Sequence, residues 1–132
     1  MKKILSLISM FAVAVTIASA KTKSVRIFLV PWDTDFRVAA SADTVRKIAT
    51  IKTDITDSWY ADAFIAWLGA DRMKMDAELK VADVRLVVDA EQEDGTMHSY
   101  YASCFAICDA STGKVRAIDA AFRSRFSYFY EK

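Results

Sequence analysis

The sequence predicts an α+β domain: an antiparallel sheet, built from a three-stranded C-terminal meander plus an N-terminal strand, with two or three helices packed on one face. Three observations lead there. Apolar segments after Lys80 are separated by turn-forming connections, an apolar run follows Lys21, and the stretches around them carry apolar residues at helical spacing.

Residues 1–20 stand apart from that domain. Met1-Lys2-Lys3 precedes an apolar run from Ile4 to Ile17, and Ala18-Ser19-Ala20 has the small residues of a processing site. A short basic start, an apolar middle and an A-x-A end are the pattern of a secretory signal peptide. The apolar middle is shorter than the ~20 residues that span a bilayer, and no cysteine follows it to carry a lipid. The expectation is cleavage after Ala20, a periplasmic or secreted address, no membrane attachment afterwards, and a single domain over residues 21–132.

Within that domain, Ser24 to Val30 (SVRIFLV) reads as a strand, near-continuously apolar as if buried on both faces, and Pro31 closes it. Trp32-Asp33-Thr34-Asp35 reads as a turn or exposed loop. Ser41 is placed to cap a short helix through Ala49, with Asp43 in its first turn and Val45, Ile48 and Ala49 on its apolar face. Thr50 to Ile55 fits a strand by its Ile51/Thr53/Ile55 alternation and fits a continued helix equally. A helix from Trp59 to Leu68 has a cap in Asp57 or Ser58 and a stop at Gly69. Trp59, Ala63, Phe64, Trp67 and Leu68 recur at helical spacing, which predicts a core-facing stripe and no cofactor site. Asp71 to Lys80 is polar and reads as a loop.

The meander comprises Asp83–Glu91, Met97–Asp109 and Lys114–Ile118, joined by Glu93-Asp94-Gly95-Thr96 and Ala110-Ser111-Thr112-Gly113. Both connections carry hairpin-turn residues. Val84, Leu86, Val88 and Ala90 point one way in the first strand; Arg85, Asp89 and Glu91 point the other. The middle strand is apolar on both faces, which makes it central and covered on each side. Asp119 is placed to cap a last helix with Phe122, Phe126, Phe129 and Tyr130 on one stripe.

Composition narrows the function. Without Lys2 and Lys3 the chain has 16 basic and 17 acidic residues, so the basic excess of a nucleic-acid binder is missing. Three glycines and one proline leave little room for a linker. Cys104 and Cys108, four residues apart on a regular strand, would be about 13 Å apart, too far for a disulfide. A helix or a strong bulge would bring them within reach. The single histidine, His98, would lie about 20 Å from Cys104 in an extended strand and reads as a strand-end residue without a catalytic role. Thirteen aspartates make chance pairs common, so Asp33/Asp35 and Asp54/Asp57/Asp62 are weak grounds for glycosidase-like carboxylate catalysis. Asp89 to Gly95 resembles the start of a calcium loop, but position 12 is Tyr100, where a bidentate Glu is needed. Gly-rich phosphate loops, GxSxG and HExxH do not occur.

These features point to a small exported binding protein without catalytic activity, of the stoichiometric-inhibitor or immunity type, with a protein partner and neither cofactor nor metal. Trp32, Asp33, Asp35 and Tyr101 are the candidate contact residues, because aromatic rings with polar tips suit interfaces. The alternatives are a small-ligand carrier with a cavity between the sheet and the Trp59–Leu68 helix, and a hydrolase using paired aspartates.

Overall fold

The computed structural model describes residues 21–126; the predicted leader and the C-terminal Phe129, Tyr128 and Tyr130 lie outside them. The elements run β1 (Thr22–Leu29), α1 (Ala42–Ile48), β2 (Ile51–Ile55), α2 (Ser58–Leu68), β3 (Leu86–Gln92), β4 (Met97–Ala102), β5 (Ala106–Asp109), β6 (Val115–Ala117) and α3 (Ala120–Arg125). A short 3-10 turn, Ala70–Arg72, follows α2. The strands form one antiparallel sheet in the order β2-β1-β3-β4-β5-β6. The α+β class holds, and the open choice at Thr50–Ile55 resolves as a strand. Among the described residues no helix is long and apolar enough to cross a membrane.

Local chemistry sets the helix ends as the sequence indicates. The Ser41 hydroxyl accepts the Thr44 N–H, the Asp57 carboxylate accepts those of Trp59 and Tyr60, and Asp119 accepts that of Phe122. Each satisfies an N–H that the helix itself leaves unpaired.

The helices do not share one face. Val25, Ile27 and Leu29 of β1 and Leu86, Val88 and Ala90 of β3 pack under α2 and α3, against Ala61, Leu68, Phe122 and Phe126. The opposite side of the same strands is also apolar: Phe28, Val30 and Val87 pack with Val45 of α1 and with Ala40 and Val84. β1 and β3 are interior strands with apolar side chains in both directions, so one helical layer would leave Phe28 and Val87 in water. Val45, fully buried, contributes roughly 2 kcal/mol to holding α1 there.

The predicted middle strand, Met97–Asp109, is two strands. Ser103-Cys104-Phe105 reverses the chain, so that Ala102 faces Ile107 and Tyr100 faces Asp109. The buried Ser103 accepts the N–H groups of Phe105 and Ala106 on its hydroxyl, both at 3.3 Å, and its own N–H donates to the Ala106 carbonyl. A serine hydroxyl thus does the work usually announced by glycine or proline. Cys104 sits in the turn and Cys108 on β5, both as free thiols.

Arg85, expected to point the opposite way from Leu86 and Val88, is 5% exposed. It donates to Asp83 and to the Thr34 carbonyl, each at 2.7 Å, and lies 4.5 Å over the Phe36 ring. Asp83 in turn accepts the Ala40 N–H at 2.8 Å. The β1–α1 loop, residues 30–41, is thereby pinned to the strand that begins β3.

Candidate binding surface

The sheet separates the residues singled out from the sequence. Trp32 is half-buried in the α2–α3 layer: its indole N–H donates to the Arg123 carbonyl at 3.2 Å, and its ring meets Phe126 edge-on at 5.9 Å. The Cys104 thiol donates to the Trp32 carbonyl at 3.1 Å, and Arg123 donates to the Cys104 carbonyl. Trp32 is therefore a strut joining the β1–α1 loop, the β4–β5 turn and α3. Asp33 and Asp35 are exposed in the loop beside it. Tyr101 packs with the α1 layer, where the Arg46 guanidinium lies 5.6 Å over its ring. The loop carboxylates accompany Trp32, and Tyr101 does not join them.

Several titratable side chains are engaged in structural pairs. The fork of Arg46 holds Asp89 at 2.8 and 3.0 Å, and Ser99 donates to Asp89 at 2.6 Å. Burial works against the Asp89 charge, but Arg46 and Ser99 outweigh it and keep the carboxyl below its ordinary range. Around this pair a polar cleft of about 460 Å³ opens on the α1 side of the sheet, where Arg26 pairs with Asp54 at 3.0 Å and Ser24 donates to Glu91 at 3.4 Å. Arg26 and Arg46 are both paired with carboxylates, and among the described residues Glu91 leaves the lining with one acidic group in excess. Asp57 caps α2, Asp62 accepts the Thr22 N–H at 3.0 Å and Asp54 pairs with Arg26, so the three carboxylates have separate partners.

The fold-back also brings His98 to Asp109 and Ser111. His98 Nε2 lies 2.9 Å from Asp109 Oδ1 and 3.4 Å from Ser111 Oγ, and Ser111 donates to Asp109 at 2.7 Å. A nucleophilic relay needs the acid on one ring nitrogen and the hydroxyl on the other. Here both approach the same nitrogen, and the Ser111 proton is directed at the carboxylate. The trio ties the β5–β6 turn to β4. Among the described residues no group of three or more His, Cys, Asp and Glu side chains could hold a metal ion.

What the pairs leave open is aromatic. Ile55, Tyr60, Ala63, Phe64, Trp67, Arg125 and Phe126 line a cleft of about 370 Å³ at the α2–α3 layer. It is at the small end of ligand pockets, which run roughly 300–1,000 Å³. Its wall is a packed ring cluster. Trp67 stacks on Phe122 at 4.8 Å and 5°, and Phe64 meets Phe126 edge-on at 6.2 Å. Among the described residues Arg125 is the one charged side chain on the lining. At the start of α2, Trp59 and Tyr60 are 71% and 62% exposed and contact each other edge-on at 4.9 Å.

The core-facing stripe expected of α2 holds for Phe64, Trp67 and Leu68, which are buried in or packed against the core, and fails for Trp59 and Ala63. Ala61 and Leu68 are the buried residues of the helix, with Ile65 packed against the core; Trp59 and Ala63 face water, and Phe64 and Trp67 are half-buried. The signal was present as an excess of large aromatics, more than one helix face buries. Comparison with known protein families, with curated proteins and with solved structures finds no match.

Proposed function

We propose that this is an exported binding protein without catalytic activity, and that it captures an apolar group bearing a negative charge in the α2–α3 cleft. The observation that carries the reading is the cleft's composition: an aromatic and aliphatic lining with, among the described residues, one cationic side chain, Arg125, at α3. An apolar body suits the rings, and an anionic end suits the guanidinium. Asp54, Asp62, Asp83, Asp89, Asp109 and His98 are engaged elsewhere in contacts that support the fold, which favours binding over catalysis. The basic start, apolar run and Ala18-Ser19-Ala20 of the leader support export to the periplasm or beyond.

Two sources supply this chemistry. One is an exposed segment of a protein target, as for a stoichiometric inhibitor of the immunity type. The other is a free amphiphile, as for a small-ligand carrier, and the cleft beside α2 is the specific observation in its favour. Titration with decanoate separates them, with Trp67 in the cleft wall as the fluorescent reporter. A saturable emission change that Phe64→Ala abolishes, and that Arg125→Glu weakens for decanoate but not for decanol, supports the carrier. No change with either amphiphile, together with target capture at the cleft, supports the inhibitor. Saturable binding untouched by both substitutions would contradict the cleft as the site.

A further inference from the structure

The two sheet edges differ. β6 is covered where Lys74 pairs with Val115, through bonds of 3.0 and 2.9 Å in the two directions. β2 pairs with β1 on one side, and among the described residues no strand pairs with its other side. An open strand edge is a template for another strand, and proteins that must avoid pairing place charges there. β2 carries two, Lys52 and Asp54, on either side of Thr53 in the sequence Ile-Lys-Thr-Asp-Ile.

Read against itself in the antiparallel direction, that strand is complementary. With Thr53 opposite Thr53, Lys52 faces Asp54, Asp54 faces Lys52, and Ile51 and Ile55 face each other at both ends. The charges attract in this register where they would ordinarily repel a second edge. Asp54 and Arg26, paired at 3.0 Å, are both more than half exposed, so Asp54 is accessible to a second cation. Ile55 also lines the aromatic cleft with Tyr60 and Phe64, which sets apolar surface beside the edge.

We infer that a second copy of this chain pairs antiparallel with β2, centred on Thr53, and joins two six-stranded sheets across a two-fold axis. Such a contact is isologous, the same patch on both copies. It goes beyond the proposed function and does not rest on it.

Charge reversal tests it by sedimentation velocity over a concentration series. The wild-type protein is expected to show a reversible monomer–dimer equilibrium. Lys52→Asp alone puts like charges opposite each other twice, and so does Asp54→Lys; each is expected to weaken dimerisation about tenfold or more. Mixing the two single variants restores opposite charges at both positions, so a heterodimer of wild-type strength is expected, and the double variant is expected to dimerise on its own. Recovery on mixing also shows that both single variants are folded. A wild-type monomer throughout the series, or single variants that dimerise as well as the wild type, would overturn the inference.

Discussion

Asp109 shows how a single residue couples the β5–β6 turn to pH. Burial disfavours its charge, but hydrogen bonds from Ser111 and His98 outweigh that cost and hold the carboxyl below its ordinary range. A depressed folded-state value stabilises the fold above the unfolded carboxylate value, about 3.9, and that stability is lost as pH falls through the lower folded value. Asp109→Asn should therefore destabilise the protein at neutral pH, with the gap to wild type closing as the solution is acidified below about 4. Urea unfolding midpoints at a series of pH values measure it, and a gap independent of pH would contradict the assignment. The sequence does not show this pairing, because it depends on a strand that turns back at Ser103. Arg85 was hidden for a related reason: alternation through the residues leading into β3 places it opposite the core face but says nothing of the loop that covers it.

At the scale of elements, α2 was legible at its ends and only in part in its rotation. Asp57 and Gly69 bound it in sequence and in structure, because capping chemistry is local. Of the face expected from spacing, Phe64, Trp67 and Leu68 turn to the core and Trp59 and Ala63 do not. Ala61, one of the two fully buried residues of the helix, is small and carries little hydrophobic signal. The stop at Gly69 has a φ of +80°, and a Cβ there would come within 2.8 Å of Arg116 Nε, which donates to the Leu68 carbonyl at 2.8 Å. Gly69→Ala should cost roughly 2 kcal/mol through left-handed strain and displacement of Arg116. Chemical denaturation checks it, and a change below a few tenths of a kcal/mol would show that the turn relaxes freely. The β4–β5 reversal escaped sequence reading because Ser103-Cys104-Phe105-Ala106 has neither glycine nor proline.

For the whole molecule, the class, most element positions and both glycine-containing hairpin turns were readable, since each follows from local patterning. The two-sided burial of β1 was readable as well, and with it lay the clue that helices cover both faces. The insertion of β1 between β2 and β3 was not, because it joins Val25 to Ile55 and Ala90, partners distant in sequence. The candidate surface was half legible: Phe64 and Trp67 pack on the core as their spacing indicates while still lining the cleft, but Trp59 lies outside the core, and Trp32 is half-buried in the α2–α3 layer. Burial relative to neighbouring elements decides both, and a single chain's pattern does not contain it.

The central claim is that the α2–α3 cleft, and not the Trp32–Asp35 loop, is the binding surface. Site-specific photo-crosslinking in intact cells tests it most directly, with benzoylphenylalanine placed at Tyr60 on the cleft and, in a separate variant, at Asp33 on the loop. Irradiation should give a defined adduct from position 60, distinct in mass from a dimer of this chain, and none from position 33. An adduct from position 33 with none from position 60 would contradict the account.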